Sequence, residues 1–223
     1  MSAAIRRKVG LFGGTFDPVH LGHLRLALEA AESLGLEQVR LLPCHRPPHR
    51  NNPQVDSRQR AEMLHLAMGA SSLLSVDERE LGREGPSYTL ETLQQLRAEL
   101  GPDVSLVWIL GSDAFAHLEA WHRWRELLDW AHLLVVRRPG YALPEQGVLR
   151  DWWQAHKAEC DDALELAPAG SILVRELRLL PISATEIRAL AEAGRSPAYL
   201  VPERVGVYMQ KHGLYTRPPP GEA

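Results

Sequence analysis

Gly13-Gly14-Thr15-Phe16-Asp17-Pro18-Val19-His20-Leu21-Gly22-His23 is the stretch from which the fold is read. Ahead of it, residues 8–12 form a short apolar run stopped by a glycine pair, as expected of a buried strand. Behind it the period changes, and Leu24, Ala27, Leu28, Ala31 and Leu34 make a helical stripe that Gly35 closes. Strand, glycine turn and helix within about 30 residues open a βαβ unit. The quoted segment therefore lies over the carboxyl end of a sheet, where the orphan N–H groups and dipole of a starting helix favour an anion. Gly13 and Gly14 permit tight turning and close backbone approach, and Pro18 restricts the chain ahead of the helix. His20 and His23 are predicted to share one face of the first helical turn as a phosphate grip, with Gly22 leaving room between them. The competing uses are a helix cap, which these spacings make less favoured, and zinc, for which no H-E-x-x-H or Cys/His pattern stands nearby.

The alternation continues outward. Strands are predicted at residues 39–42, 73–76, 104–110, 133–136 and 172–174. Helices are predicted at residues 57–69, with Ala61, Leu64, His65 and Met68 along one side, at 89–100, at 114–128 with a break near Glu119, at 183–190 and at 201–212. Asp56 with Gln59 and Ser183 with Glu186 have capping-box spacing. Residues 141–170 read only as a helix and a loop. Because the strands are apolar throughout, both sheet faces should be covered by helices, which gives an open parallel α/β sheet. A closed eight-stranded barrel needs more repeats than this length supplies.

Composition narrows the function. The chain has 223 residues, 45% hydrophobic and 24% charged, which suits one compact domain and excludes disorder over most of it. We read residues 181–215 as a C-terminal helical part of that domain and 216–223 as a flexible tail. A formal charge of -3 argues against a generally basic surface for nucleic acid. Neither a secretory apolar segment nor a run of roughly 20 apolar residues is found, so no membrane partner and a cytoplasmic location are expected. The two cysteines, Cys44 and Cys160, are too few for a disulfide framework. The sequence leaves monomer and homodimer open.

Three further segments fall at predicted strand ends or helix starts. In residues 182–188, Ser183, Thr185 and first-turn N–H groups could meet phosphate, with Arg188 supplying a guanidinium fork; Ser183 could equally be a plain N-cap. In residues 45–50, prolines stiffen a cationic loop able to face a second phosphorylated substrate. After the central strand, Asp113 of Gly111-Ser112-Asp113 could accept from ribose hydroxyls or merely cap a helix. Tyr88, Trp121 and Trp124 could stack on a ring or fill the core. The fingerprints G-x-G-x-x-G and G-x-x-x-x-G-K-[ST] do not stand at the first strand, which removes the usual support for hydride transfer and P-loop hydrolysis.

The sequence resembles the nucleotidyltransferase superfamily with the motif H-x-G-H, here His20-Leu21-Gly22-His23, and within it the bacterial nicotinate mononucleotide adenylyltransferases. The resemblance runs from Val9 to about Tyr215. It rests on Gly13 to His23, Pro47-Pro48-His49-Arg50, Ser87 to Leu93, Gly111 to Asp113 and Ile182 to Arg188, in the expected order. It implies a Rossmann-like nucleotidyltransferase sheet and direct transfer of AMP from ATP to nicotinate mononucleotide, releasing pyrophosphate and giving deamido-NAD, with no covalent enzyme intermediate.

The resemblance also implies roles. His20, His23 and Arg188 would be catalytic. ATP contacts would come from Gly13, Gly14, Thr15, Phe16, His20, Gly22, His23, Gly111, Asp113, Ile182, Ser183, Thr185 and Arg188. Gly14, Thr15, His49, Arg50, Tyr88, Thr89, Trp121, His122 and Arg138 would serve the mononucleotide. Mg²⁺ would travel with ATP, bridging phosphate oxygens without an all-protein cage. His122 departs from the aromatic residue frequent after the tryptophan, Arg50 replaces the common lysine, and Ala184 replaces a frequent serine. Another acceptor, such as nicotinamide mononucleotide or phosphopantetheine, and a nucleotide-binding module without turnover are the alternatives.

Overall fold

The computed structural model describes residues 6–46, 53–69 and 71–216. Six strands run in the order β3-β2-β1-β4-β5-β6, with every neighbouring pair parallel. They are β1 (Lys8–Gly14), β2 (Gln38–Pro43), β3 (Leu74–Val76), β4 (Ser105–Gly111), β5 (His132–Val136) and β6 (Ile172–Arg175). The helices are α1 (Leu21–Leu34), α2 (Ser57–Met68), α3 (Thr89–Leu100), α4 (Ser112–Phe115), α5 (Leu127–Trp130), α6 (Gly147–His156), α7 (Ala163–Leu166), α8 (Ala184–Glu192) and α9 (Glu203–Lys211). The strand order reverses between β1 and β4, and ligands of open α/β sheets gather in the crevice beyond such a point.

Strand periodicity divides the core into two layers. Val107 and Ile109 of β4, with Leu134 and Val136 of β5, join α1, α2, α8 and α9 on one face. Leu106, Trp108 and Leu110, with Leu133 and Val135, join α3, α5 and α6 on the other. Trp153 and Trp152 belong to this second layer: Trp153 is buried with its indole N–H donated to Pro144 O at 3.2 Å, and Trp152 meets Trp124 edge-on at 4.8 Å.

Several expectations are corrected. Gly13 and Gly14 are the last residues of β1, paired with Leu42 and Pro43, and do not form the turn. Their lack of a side chain serves packing: a Cβ on Gly13 would lie 2.6 Å from the Trp108 ring, and one on Gly14 would lie 3.0 Å from Phe16. The chain turns instead at Phe16, whose φ is +49°, and at a cis Asp17-Pro18 bond. The helix expected over residues 114–128 is resolved into α4, 3-10 turns at Leu118–Ala120 and Trp124–Glu126, and α5. Arg123, at φ +51°, interrupts it, and Trp124 packs into the core. On α2 the buried side carries Arg60, Ala61, Met63 and Leu64, whereas His65 faces outward beside Glu78. Asp56 caps this helix as its spacing predicts, accepting from the N–H groups of Arg58 and Gln59.

Candidate active site

The segment between β1 and α1 builds the centre of the site. His20 is the N-cap of α1: its Nδ1 accepts from the His23 N–H at 3.3 Å, and the His23 Nδ1 accepts from the His20 N–H at 3.3 Å. The capping use and the paired use of these histidines are thus one arrangement. The two rings stack with centroids 3.7 Å apart. Because each Nδ1 accepts a main-chain hydrogen bond, the ring proton is placed on Nε2. Burial, helped by the nearby positive charge of Arg138, lowers the His20 pKa to about 4, so His20 is a neutral donor near pH 7. A Cβ on Gly22 would lie 3.0 Å from His20 Nδ1 and 3.3 Å from Leu180 O, so the room at this glycine is occupied by the His20 ring and the approach to α8.

The start of α8 reaches the same loop. Arg188 donates from Nη1 to Asp17 O at 2.7 Å and from Nη2 to Thr185 Oγ1 at 3.3 Å. Ser183 is the N-cap of α8, its hydroxyl accepting from the Glu186 N–H at 3.2 Å, which is the Ser183 half of the predicted box. Leu21 N–H donates to Leu200 O at 3.0 Å, drawing the chain ahead of α9 onto the first turn of α1. Ile182 is half-buried against the α1 layer.

The ends of β4 and β5 close the other side. Arg138 lies 3.3 Å from Asp113 Oδ2, and its N–H donates to Ser112 Oγ at 2.9 Å. Asp113 Oδ1 is a buried acceptor with no hydrogen-bond partner among the described residues. A Cβ on Gly111 would lie 2.3 Å from that oxygen and 2.7 Å from Arg138 Nε, so any side chain here would displace the Asp113–Arg138 pair.

A second arm leads away from Thr15. Cys44 N–H donates to Gly14 O at 3.0 Å, and the Cys44 thiol lies 3.8 Å from Thr15 Oγ1. The next residue, His45, donates its N–H to Ser87 Oγ at 2.9 Å, which carries the arm to Tyr88. The Tyr88 and His122 rings stack at 4.4 Å, Thr89 begins α3, and Trp121 is half-buried against the second core layer. His49 and Arg50 lie outside the described residues. Phe16 is buried with its ring edge-on to His23 at 5.0 Å, so of this residue only the backbone is placed to meet a ligand. Trp124 fills the core and is not part of a stacking face.

Sequence reasoning missed the residues that hold these segments together. The buried Asp17 carboxylate accepts from Tyr215 Oη at 2.7 Å through Oδ1 and from Gln54 N–H at 3.0 Å through Oδ2. Arg60, also buried, donates to the main-chain oxygens of Thr15 in the site loop and of Cys44 and Val55 in the β2–α2 connection. The available signal was an arginine on the apolar side of an amphipathic helix.

The donor set consists of imidazoles, guanidinium groups and helix starts, which suit phosphate oxygens. Among the described residues no three histidine, cysteine or acidic side chains gather to hold a metal ion. No helix among them is long and apolar enough to cross a membrane.

Comparison with known proteins agrees with this geometry. The cytidylyltransferase-like family matches residues 11–190. A Cellvibrio japonicus protein named "Probable nicotinate-nucleotide adenylyltransferase" is 53% identical over 95% of this chain and 100% of its own length. A Pseudomonas putida protein of the same name is 49% identical over 95% of this chain and 96% of its own. In three dimensions the chain is similar to a Plasmodium falciparum nicotinic acid mononucleotide adenylyltransferase complexed with NaAD, with a TM-score of 0.71 at 15% identity, covering 94% of this chain and 98% of that one. The six-stranded parallel sheet is thus the open nucleotidyltransferase form of the Rossmann-like fold, and the chain belongs to the nicotinate-nucleotide adenylyltransferase family.

Proposed function

We propose that this site transfers AMP from ATP to the 5′-phosphate of nicotinate mononucleotide, a step of NAD synthesis. The observation that carries the reading is that Arg188 is bonded to the backbone of the loop that presents His20 and His23. A phosphate oxygen of the mononucleotide attacks the α-phosphorus of ATP. The new P–O bond forms as the bond to the β-phosphate breaks, and pyrophosphate leaves with the electron pair. No residue needs to become covalently attached, so alignment and charge stabilisation supply the catalysis. The Nε2–H groups of His20 and His23 and the Arg188 fork donate to phosphate oxygens as charge moves toward the leaving group. Ser183, Thr185 and Ile182 bring the α8 start to the triphosphate.

Gly13, Gly14, Thr15 and Phe16 bring main-chain groups near the reacting phosphate, and Gly22 keeps the first turn of α1 slim. Gly111 and Asp113 receive the adenosine, with the unpartnered Asp113 Oδ1 as acceptor for a ribose hydroxyl. Gly14, Thr15, His49, Arg50 and Arg138 serve the mononucleotide phosphate, while Tyr88, Thr89, Trp121 and His122 line the pyridine side. Mg²⁺ accompanying ATP would supply charge neutralisation at the phosphates, with no cage of His, Cys or acidic side chains for it among the described residues. We place the reaction in the cytoplasm within a single domain, with residues 181–215 completing the ATP side.

The test supplies the purified chain with ATP, Mg²⁺ and, in turn, nicotinate mononucleotide, nicotinamide mononucleotide and phosphopantetheine. Pyrophosphate release should be much the fastest with nicotinate mononucleotide. Equal or faster release with another acceptor overturns the substrate assignment, and ATP binding without release for any acceptor identifies a binding module.

A further inference from the structure

Arg60 is 1% exposed on the core side of α2, beside Ala61, Met63 and Leu64. Its guanidinium is turned toward main-chain oxygens. Nε donates to Val55 O at 3.1 Å, Nη1 to Thr15 O, and Nη2 to Cys44 O at 2.7 Å and His45 O at 3.5 Å. Thr15 is the first residue beyond β1, Cys44 and His45 are the first two beyond β2, and Val55 lies just ahead of the Asp56 cap. One planar fork therefore joins the loop that presents His20 to both described ends of the β2–α2 connection.

Other bonds hold the same ends. His45 N–H reaches Ser87 Oγ, and Gln54 N–H reaches Asp17 Oδ2. Burying a guanidinium costs several kcal/mol unless its donors are answered, and an apolar side chain would fill this core position without that cost. A lysine offers one nitrogen where the observed contacts use three, spread over a rigid plane.

Arg97 supplies an internal comparison. It too donates to main-chain oxygens, of Gly101 at 3.1 Å, Trp130 at 2.8 Å and Pro168 at 3.0 Å. These lie ahead of β4, β5 and β6, at the end of the sheet opposite the site.

We infer that Arg60 is a positioning residue for adenylyl transfer, holding the Thr15 carbonyl and the two ends of the β2–α2 connection in one frame so that the two reacting phosphates meet in line. This rests on the reading proposed above. Arg60 acts through the backbone of Thr15, Cys44 and Val55 and touches no substrate.

The experiment compares R60K and R60M with R97K in the full chain. It measures kcat and both KM values with ATP and nicotinate mononucleotide, thermal midpoints, and calorimetric affinity for a non-hydrolysable ATP analogue. R60K and R60M should lower kcat by about 10- to 100-fold, the loss expected from misplacement on the order of 1 Å, with analogue affinity within about threefold. R97K should lower the thermal midpoint while kcat per folded protein stays within about twofold. Folded R60K and R60M with near-normal kcat overturn the inference, as does loss of kcat in R97K equal to theirs. If R60M fails to fold, R60K decides; if neither folds, Arg60 is a folding residue and the inference falls. A wild-type chain that releases no pyrophosphate with nicotinate mononucleotide removes the proposed function itself, whereas an active wild type beside near-normal Arg60 variants removes only this assignment.

Discussion

Arg188 donates from Nη1 to the main-chain oxygen of Asp17 at 2.7 Å, joining positions 171 residues apart. The Asp17 side chain meanwhile binds Tyr215 and Gln54. One loop residue thus collects the start of α8, the C-terminal segment and the approach to α2, while the next loop positions lead to the His20 cap. The groups proposed to bind phosphate are arranged by the backbone of the β1–α1 loop as much as by their own side chains.

Replacing Arg188 tests whether its fork matters beyond its charge. R188A should lower kcat/KM by about 10²-fold or more, because a charge-assisted donor to the transferring group is lost. R188K should still lose at least about tenfold, since one ammonium cannot reproduce the bonds to Asp17 O and Thr185 Oγ1. Arg188 is only partly buried, so thermal midpoints should move little. Pyrophosphate-release kinetics on both variants check this, and an R188K enzyme equal to wild type would reduce the role of Arg188 to its charge.

His20 combines an observed cap with the proposed role of phosphate donor, and two substitutions separate these. H20A should destabilise by about 1 kcal/mol through loss of the cap, shifting the midpoint by roughly 2–4 °C. H20N can accept from the His23 N–H and should recover much of that stability. Both should lose about 10²-fold in kcat because neither carries Nε2–H at the phosphate. Calorimetry beside turnover measurements decides; normal turnover in either variant contradicts the assigned role.

Much of this arrangement was legible in the chain because local chemistry and global fold agree. The 21–34 helix, its Gly35 stop and the 89–100 helix follow from 3.6-residue periodicity and sharp termini. The histidine pair and Arg188 stand in short motifs whose proximity the topology then supplies. The failures have particular causes. Gly13 and Gly14 resembled a turn because periodicity cannot distinguish a glycine needed for φ from one needed to admit Trp108 or Phe16. The short helices between Ser112 and Trp130 share an apolar period that is broken by the backbone, extended at Trp121 and left-handed at Arg123. Arg60 shows in the sequence only as an arginine on the apolar side of its helix; its partners are carbonyl oxygens, which no sequence spacing records.

Tyr215 should contribute stability out of proportion to its place near the C-terminal end. Its hydroxyl donates to Asp17 Oδ1 at 2.7 Å in a buried setting. Burial, together with the hydrogen bond to Asp17, raises the pKa of this phenol, so it stays protonated as the donor. Y215F should cost about 1–3 kcal/mol, since Asp17 Oδ1 loses this partner where water has little access. D17N should weaken the same bond and perturb turnover as well. Denaturant titration of Y215F measures the first effect, and a change below about 0.5 kcal/mol would show that the contact contributes little.

Acid should unfold the protein in two stages, the first governed by histidine. Burial, with Arg138 nearby, lowers the His20 pKa to about 4. Burial likewise lowers the His132 pKa to about 4, while its Nε2 faces Ala167 O at 3.0 Å and its Nδ1 accepts from Ser171 N–H at 3.1 Å. Both values lie below the ordinary 6.5, so between them the unfolded chain binds more protons than the folded one. Their contribution is complete above about pH 6.5 and is lost as pH falls toward about 4, at up to about 1.4 kcal/mol per pH unit for each group. Glu80 has the opposite sign: burial raises its carboxyl pKa, so its contribution is present at low pH and lost as pH rises through the raised value. It therefore flattens the slope just above the ordinary carboxylate range. Below that range a second stage begins, as Glu99, held low by hydrogen bonds from Arg79 and Arg40, takes up its proton. Urea unfolding between about pH 7 and about pH 5 should show falling stability, and H132Q, which keeps a donor for Ala167 O without an imidazole, should reduce that slope by about one proton equivalent. An unchanged slope in H132Q would mean that His132 is not held neutral by the fold.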